Sequence, residues 1–383
     1  MATGLDRLVR KEVSLGAIRE MQPAEQLIGL QIAPFLDVGT DDVIFEYIKG
    51  GLQDGLAPAR AEDAEAELAQ KDDLYYGSGR AAIVDWSLKD KYTASDVSRY
   101  REDLFIQQQV QGTVSASNNM NLNFTGRAVA DFEARVARHD ALRKRKLDNR
   151  IEWLNTQALE NGAIAYNDGK IKFTVNYGRP GDQHNIVPPG GLWNLTTCDP
   201  IGDLLAAQQL CFDRYGVRPM RGILSRKIVN NLWKSSKFLA ALGVPVVGGT
   251  PNVSLDPNYL GLAGYTPEGA LAVVERATGI KFTIYDGVYR TRAIGSQTFV
   301  NNRFISDDKV ILLPTEEDLG EINDTEIGFA KTLTAPHPEG LWTPGFYEWE
   351  DEKKDPWLHV RGSGVKAFPV YPYMEYTFSY DVL

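Results

Sequence analysis

Apolar and polar residues alternate along the last part of the chain. Met374, Tyr376, Phe378, Tyr380 and Val382 fall on one face of an extended backbone, and the polar residues between them fall on the other. Successive side chains of a strand point to opposite faces of a sheet, so this period of two predicts a terminal β-strand. Such a strand has to pair with a sheet that much earlier residues form.

Residues from about 126 to 160 follow a helical period instead. The segment contains no proline, and Asn161-Gly162 supplies a stop signal. Apolar residues form a stripe near each end, comprising Val129, Phe132 and Val136, then Leu147, Ile151, Leu154 and Ala158. Between these stripes the face that should be buried is polar, with His139, Asp140, Arg143 and Lys144. The pattern predicts one helix of about 50 Å that is buried at both ends and bridges two parts of the structure.

Short strands and helices alternate after this helix. Residues 163–166 and 170–177 flank Asn167-Asp168-Gly169, a strong signal for a β-hairpin. Beyond a loop, the pattern predicts helices at about 199–215, 225–242 and 266–277, and strands at 221–224, 281–285, 289–293 and 309–313. This alternation indicates a compact α/β sub-domain.

The segment from Asp54 to Asp96 has a different character. A strand with Val43, Phe45 and Tyr47 on one face precedes it, and the segment soon enters an acidic stretch, EDAEAELAQKDD, without a wide apolar face. Its apolar residues 82–86 have little to bury against locally. We therefore expect an extended excursion from the body of the protein rather than a domain with its own core.

Composition narrows the class of protein. The chain has 383 residues, 43% hydrophobic and 24% charged, which is typical of a globular protein with two or three sub-domains. No apolar run approaches the roughly 20 residues that cross a bilayer, and we expect neither a signal peptide nor a membrane partner. Cys198 and Cys211 are the only cysteines, so a disulfide framework is excluded. The net charge of −10 argues against broad binding of polyanions.

A search for catalytic chemistry finds no convergent site. The four histidines are scattered, and none belongs to a pair with metal-ligand spacing: His139, His184, His337 and His359. GSGRAA at Gly77 resembles a dinucleotide fingerprint but follows no buried strand and opens no βαβ unit. The acidic cluster at 316–326 lacks the ligand spacing of a calcium loop. We predict no catalytic residue, no cofactor site and no metal site, and this absence favours a structural role.

One basic run stands out in this acidic chain: Arg143, Lys144, Arg145 and Lys146, in the middle of the predicted helix. Its side chains could contact the phosphates of DNA without reading bases. They could equally dock on an acidic surface, such as residues 62–73 of another copy. The third interpretation is a solvated helix flank with intrahelical pairs, Asp140 with Lys144 or Lys144 with Asp148. Spacing alone leaves all three open.

The order of these features resembles that of a known family. The similarity is strongest from residue 100 onwards, and residues 1–100 match more in layout than in sequence. It is carried by NRIEW (149–153), IKFTVNYGRPGDQHN (171–185), CDPIGDLLAA (198–207), GVRPMRGILSRKIVNNLW (216–233) and WLHVRGSGVKAFPVYPY (357–373). Together and in this order, these segments resemble the major capsid protein E family of tailed bacteriophages, the lambda-type shell proteins.

The resemblance implies an α+β protein with the Hong Kong 97-type capsid fold. Residues 1–51 would form the N-terminal arm, and residues 52–100 the E-loop that reaches over a neighbouring subunit. Residues 101–198 and 336–383 would form the peripheral domain, with the spine helix at about 126–160 and a sheet that includes 170–177 and the terminal strand. Residues 199–335 would form the axial domain, which gathers around pentamer and hexamer centres.

The function implied by the resemblance is that of a non-enzymatic major capsid protein. Copies would assemble in the host cytoplasm, as hexamers and pentamers, into the icosahedral shell of a virion around double-stranded DNA. The stretch before the E-loop-like segment is far shorter than in relatives with a fused scaffold, so we expect a separate scaffolding protein. A portal protein is a further expected partner, whereas a decoration protein, which lambda-type relatives have, does not follow from this chain.

Two alternatives to a phage head remain at this point. One is an encapsulin-like compartment of the same fold that holds protein cargo. The other is a cytosolic carboxylate-dependent hydrolase, which would need paired acids with perturbed pKa values in a pocket. On a spine helix of this fold, one flank faces the interior and another a neighbouring subunit. The resemblance therefore places interior DNA contact of Arg143, Lys144, Arg145 and Lys146 level with inter-subunit contact, and a solvated face stays the third interpretation.

Overall fold

A computed structural model of the chain describes residue 19 and residues 27–49, 75–93, 123–169, 171–241, 246–247, 250–251, 266–291, 298–319, 327–354 and 357–383. The helices are α1 Ile28–Ile32, α2 Asn123–Asn161, α3 Pro200–Tyr215, α4 Arg226–Leu232, α5 Ser236–Ala241, α6 Pro267–Thr278 and α7 Glu316–Leu319. The strands are β1 Phe35–Asp37, β2 Asp42–Lys49, β3 Tyr75–Ala82, β4 Asp85–Thr93, β5 Ala163–Asn167, β6 Lys172–Asn176, β7 Arg221–Leu224, β8 Val246–Val247, β9 Thr250–Pro251, β10 Lys281–Ile284, β11 Val288–Thr291, β12 Val300–Arg303, β13 Lys309–Leu313, β14 Lys331–Thr334, β15 Phe346–Lys354, β16 Trp357–Val370 and β17 Phe378–Asp381.

The 14-residue strand β16 is the centre of the larger sheet. One of its edges pairs with β15, and the other pairs first with β4 and then with β14, in each case antiparallel. β1 adds to β14 in parallel. The five strands therefore join residues 35–37, 85–93 and 331–370, and this sheet cannot form from any single stretch of the chain.

Two glycines of β16 make room for aromatic rings of β15. Trp349 lies opposite Gly362 and Tyr347 lies opposite Gly364. A Cβ atom on Gly362 would approach the Trp349 ring to 2.2 Å, and one on Gly364 would approach the Tyr347 ring to 2.4 Å. The two rings thus lie flat across the backbone of β16, which explains the unusual RGSG sequence in the middle of a long strand.

The predicted long helix is confirmed as α2, and its C-terminal apolar stripe packs against the larger sheet. All four predicted stripe residues are buried: Leu147, Ile151, Leu154 and Ala158. Val136 of the first stripe is also buried, whereas the side chains of Val129 and Phe132 lie outside the described residues. The polar middle of the helix is not exposed between two bodies, however. It is covered by β4, β15 and β16, which is the main correction to the predicted helix.

The predicted α/β sub-domain is built around the smaller sheet, with strand order β10-β7-β13-β17. Its helices begin at polar caps placed just before proline or helix formers: Asp199 accepts from Gly202 N at 3.0 Å, and Thr266 accepts from Gly269 N at 3.1 Å. The helix predicted at 225–242 is divided into α4 and α5, because the Ser235 hydroxyl instead accepts a hydrogen bond from Phe238 N at 3.2 Å and starts a new turn.

The continuous terminal strand predicted from the alternation is wrong. β16 ends at Val370, a 3-10 turn occupies Met374–Tyr376, and β17 then pairs with β13 of the smaller sheet rather than with β6. Strand β6 pairs only with β5, as the predicted hairpin. The polar face of the pattern does not face water either, because buried Arg179 donates to Thr377 Oγ1 at 2.8 Å and to Ser379 Oγ at 3.3 Å.

The excursion predicted between Asp54 and Asp96 is correct only in part. Residues 54–74 lie outside the described residues. β3 pairs with β2, and β4 is an integral strand of the larger sheet. Residues 82–86 find burial partners far away in the sequence: Trp86 is buried against Tyr166 at 5.1 Å between ring centroids and donates to Ala367 O at 3.0 Å.

One carboxylate joins three distant segments at the middle of the fold. Glu152 of α2 accepts hydrogen bonds from Gly29 N at 2.9 Å and from Leu30 N at 3.1 Å, at the start of α1. It also accepts from the Tyr285 hydroxyl at 2.7 Å, just after β10. Burial raises the pKa of Glu152, and these hydrogen bonds act against that shift by favouring the charged form.

The C-terminal end of α2 is held by a buried cation. Arg179 donates to the carbonyl oxygens of Leu159 at 2.6 Å and Glu160 at 3.1 Å, which have no partner within the helix. Complete burial lowers the pKa of Arg179 to about 9. Because the carbonyl end of a helix carries partial negative charge, it stabilises the guanidinium without a carboxylate in direct contact.

We predict that Glu152→Gln destabilises the folded subunit by about 2 kcal/mol, because the amide nitrogen cannot accept from a backbone N–H and leaves one buried donor unsatisfied. The control Tyr285→Phe removes one donor and no acceptor, and it should cost about 1 kcal/mol. Urea unfolding of the unassembled subunit measures both. Equal losses in the two variants would contradict the joining role of the carboxylate.

Candidate functional site: the charged middle of the long helix

The basic run does not present its four side chains on one surface. Arg143 and Lys144 are buried, with exposed fractions of 2% and 3%, whereas Arg145 and Lys146 are exposed. The rotation of about 100° per residue turns the four side chains in different directions, and what covers each direction decides their burial. The larger sheet covers the face of α2 that carries Arg143 and Lys144, whereas the face that carries Arg145 and Lys146 is exposed.

Arg143 is surrounded by oxygen atoms of its own chain. Its guanidinium donates to Asp90 Oδ2 at 2.6 Å and to Ser363 Oγ at 2.9 Å, forms an ion pair with Asp140, and lies 3.6 Å from Glu348 Oε1. Burial acts to lower its pKa, but attraction to Asp140 and Asp90 leaves the pKa above its ordinary value. This cation therefore connects α2 to β4, β15 and β16.

A second guanidinium faces the same acids from the sheet. Arg361 Nη2 lies 3.5 Å from Asp140 Oδ2 and 3.7 Å from Glu348 Oε2, and its Nε lies 3.7 Å from Glu350 Oε1. We call Arg143, Arg361 and their carboxylate partners Asp90, Asp140, Glu348 and Glu350 the charge cluster. Its members come from four elements, so it fixes the lateral position of the helix on the sheet in a way that an apolar contact alone does not.

Lys144 forms a separate buried pair one turn further along. Its ammonium contacts Asp148 and lies 3.8 Å from the centroid of the Phe346 ring. Burial lowers the pKa of Lys144 and raises the pKa of Asp148, in each case against the attraction between them. The predicted pairing of Lys144 with Asp148 is present, but it is a buried pair and not part of a solvated flank; Asp140 pairs with Arg143 and Arg361 rather than with Lys144.

Two of the four histidines, His139 and His359, lie beside Tyr92 at the N-terminal side of the charge cluster. The Tyr92 hydroxyl lies 3.2 Å from His139 Nδ1, and the Tyr92 ring lies 6.4 Å from the ring of His359. Burial raises the pKa of Tyr92 to about 12. Sequence spacing gave no signal of this contact, because it depends on β4 and β16 pairing beneath the helix.

The exposed face of α2 is the remaining part of the basic run. Arg138, Leu142 and Arg145 recur at intervals of four and three residues and are all exposed, with Lys146 beside them. Leu142 retains an exposed fraction of 49% between the two arginines. This face is cationic and free of a covering element among the described residues, and it has the chemistry to contact phosphates or an acidic protein surface.

The structure places no catalytic chemistry beside this face. Within the described ranges, no group of three or more His, Cys, Asp or Glu side chains could hold a metal ion. GSGRAA lies inside β3 and is followed by β4, not by a helix. The acidic cluster at 316–326 falls largely outside the described residues. Both cysteines are buried free thiols, and burial raises the pKa of Cys211 to about 12.

Buried carboxyl groups with raised pKa values are engaged in structural contacts. Asp148 pairs with Lys144, and Glu152 accepts from α1 and Tyr285. Burial also raises the pKa of Asp203, which accepts from Gly190 N at 2.7 Å and Trp193 Nε1 at 3.0 Å. These are the perturbed acids that a carboxylate-dependent hydrolase would need, and each already stabilises the fold.

Comparison with solved structures identifies the fold to which this architecture belongs. A putative capsid protein of a prophage from E. coli CFT073 has the same fold, with a TM-score of 0.52 and 14% identity over 100% of both chains. A phage-related protein from Bordetella bronchiseptica RB50 covers 97% of this chain and 96% of its own, with a TM-score of 0.48 and 13% identity. The likeness to the prophage protein shows a shared fold.

The amino-acid sequence places the chain more closely. Its residues 16–343 match the profile of the family phage major capsid protein E. No curated protein sequence gives a significant match. The chain belongs to the phage major capsid protein E family, and it is a structural protein of the virion capsid. The family, the α+β class and the capsid fold predicted from the sequence are thereby confirmed.

The sequence predicts no segment that crosses a membrane. Among the residues that the structure describes, no helix is both long enough and apolar enough to cross a bilayer.

We predict that the buried pair of Lys144 and Asp148 behaves as a unit. Lys144→Met and Asp148→Leu should each destabilise the subunit by about 3 kcal/mol, because each leaves one buried charge without its partner. The double variant should lie within about 1 kcal/mol of wild type. A double-mutant cycle from urea unfolding measures this coupling, and additive losses would refute it.

The same pair has a pH signature. Without Lys144, the folded-state pKa of Asp148 rises further above its unfolded value, so the folded state takes up this proton first as the pH falls. We therefore expect the stability difference between Lys144→Met and wild type to shrink between pH 7 and pH 5. Unfolding curves at several pH values measure it, with Asp148→Leu as the control, because that variant lacks the titrating carboxyl group.

Proposed function

We propose that this protein is the subunit that assembles, as hexamers and pentamers, into the icosahedral head of a tailed phage around double-stranded DNA. The match of residues 16–343 to the phage major capsid protein E family carries this proposal. It favours a phage head over an encapsulin-like compartment, because the family is that of phage shell proteins. The subunit acts without catalysis, in keeping with the structural engagement of its buried acids.

The larger sheet supports self-assembly on physical grounds. Its outer strands β4 and β15 have nine residues each. Long edge strands are prone to accept further strands, and soluble monomers usually shorten or cover them. In a shell, neighbouring copies of the subunit would cover these edges.

The division into domains follows the strand pairing. We assign residues 1–51 to the N-terminal arm. We assign strand β3 and the residues that join it to β2 to the part of the E-loop that extends over a neighbouring subunit. β4 and β14 belong with the peripheral sheet, although the sequence boundaries 52–100 and 199–335 included them in the E-loop and the axial domain. β17 completes the axial sheet, so the C-terminal segment 336–383 serves both domains.

The partners follow from the role of the subunit in a head. The subunits would form the shell by themselves, a separate scaffolding protein would set its size, and a portal would occupy one vertex. Packaged DNA would meet the exposed cations Arg145 and Lys146 through its phosphates. Arg143 and Lys144 are withdrawn from this role, because carboxylates of the same chain already neutralise them.

We predict that the purified protein forms shells and that removing residues 54–73 prevents this while leaving the subunit folded. Lys49 and Tyr75 pair directly at the end of the β2–β3 hairpin where the connecting residues begin. The deletion leaves five residues between them, and a loop of this length can close a hairpin. Electron microscopy measures the particles, and circular dichroism measures the fold.

A matched control uses a loop with no part in the proposal. Replacing Asp168-Gly169 by Asn-Gly conserves the hairpin turn between β5 and β6, and particles should form as in wild type. Normal particles from the deletion variant would refute the E-loop assignment. A wild-type protein that stays monomeric at high concentration would refute the proposed function itself.

The two halves of the basic run should respond differently to substitution. Arg145→Gln with Lys146→Gln should change subunit stability by less than about 0.5 kcal/mol and weaken DNA retention in particles in a salt-dependent manner. Arg143→Gln should instead destabilise the subunit by about 3 kcal/mol, because Asp140 and Glu348 stay buried. DNA content after a salt series and urea unfolding measure the two effects, and unchanged DNA retention in the first variant would assign those residues to a solvated face.

A further inference from the structure

The loop at residues 336–345, between β14 and β15, exposes two large apolar side chains. Leu341 and Trp342 have exposed fractions of 73% and 71%, the largest of any exposed Leu or Trp among the described residues. Both also have positive φ, 59° and 57°. Asn185 is the one other non-glycine residue with positive φ in the described chain, and asparagine tolerates this conformation. Leucine and tryptophan do not, so the loop holds an unfavourable backbone at the two positions where it exposes apolar surface.

Contacts inside the loop maintain this backbone. Trp342 N donates to His337 O at 3.1 Å, and Leu341 N donates to Pro338 O at 3.1 Å. The His337 ring stacks on Tyr347 at 3.9 Å between centroids, and an isolated β-bridge joins Pro336 to Pro344.

A residue from the other end of the chain also supports the loop. Arg19 donates through Nη2 to Gly340 O at 3.3 Å and through Nε to Phe346 O at 3.1 Å. The loop that carries the two apolar side chains is thus held in place by hydrogen bonds from within the loop and from Arg19. A backbone that is strained and well supported is typical of a binding element whose conformation is set before the partner arrives.

We propose that Leu341 and Trp342 form an apolar knob that inserts into the surface of a second copy of this chain in the assembled shell. This inference rests on the proposed function. The two side chains offer on the order of 300 Å² of surface, whereas each partner in a stable pairwise complex buries about 800 Å². A knob of this size cannot hold a free partner by itself. It fits an assembly in which each subunit makes several contacts and the knob adds to a larger interface between copies.

The first test compares stability with assembly, which should change in opposite directions. Asparagine accepts positive φ and removes the apolar surface, so Leu341→Asn with Trp342→Asn should raise the Tm of the unassembled subunit by about 2 °C. The same variant should need at least about tenfold more protein to form particles. Ile44→Asn is the control for stability, because Ile44 is equally exposed at 74% but has a strand backbone, and it should not raise the Tm. Trp342→Phe, which keeps an aromatic knob, should assemble within about twofold of wild type.

The second test needs no variant. Hydroxyl-radical footprinting with mass spectrometry measures the labelling of Trp342 in wild-type subunits and in particles made from purified protein alone. Labelling should fall at least about fivefold on assembly. Equal labelling in both states would overturn the inference while particles still support the proposed function, as would normal assembly of the asparagine variant. Low labelling already in the free subunit would mean that the chain covers the knob itself, and this also overturns the inference. A wild-type protein without particles would refute the proposed function and the knob together.

Discussion

The carboxylate of Glu152 is the interaction on which the remaining architecture depends. It satisfies the free amide groups at the start of α1, which no other described side chain does, and it receives the Tyr285 hydroxyl from the segment that follows β10. Since α2 also lies on the larger sheet, one residue relates an N-terminal segment, the long helix and the smaller sheet to one another. Burying a carboxyl group is unfavourable, and the three donors together offset that cost. The result is a fixed geometry between the long helix, the N-terminal segment and the segment that follows β10.

The charge cluster extends the same principle along the helix. An apolar stripe allows small translations of the helix on the sheet, because apolar contacts have little directionality. The ion pairs of Arg143 and Arg361 with Asp140 and Glu348 are directional, so they favour one position of the helix. Buried ion pairs contribute little net stability compared with apolar residues of similar volume, but they penalise misplacement strongly. For a shell subunit, accuracy matters more than stability, since an angular error at one interface recurs around every ring of copies.

Local features of the fold could be predicted from the sequence, and long-range ones could not. The α2 helix, the β5–β6 hairpin and most of the predicted elements between 199 and 313 carry their own periodicity, caps and turns, and they were found within a few residues, although the helix predicted at 225–242 is divided and β8, β9 and β12 were not predicted. The tail was misread because alternation does not show where one strand ends and the next begins, or which sheet each strand joins. Thr377 and Ser379 face a buried arginine, and nothing in their neighbourhood in sequence reveals Arg179. The burial of Arg143 and Lys144 could not be predicted for the same reason. The acidic partners Asp90 and Glu348 lie more than fifty and two hundred positions away, and only the pairing of β4 and β15 with β16 brings them to Arg143.

The position of β16 and β17 in the chain has a consequence for synthesis. Residues 357–383 provide the central strand of the larger sheet and the edge strand of the smaller one. Neither sheet can close while these residues are still within the ribosome, although α2 and the β5–β6 hairpin have emerged long before. A nascent chain therefore lacks its finished surfaces until translation of this segment ends. A chain that stops before this segment would lack the strand with which β4, β14 and β15 pair, and so could not form the larger sheet.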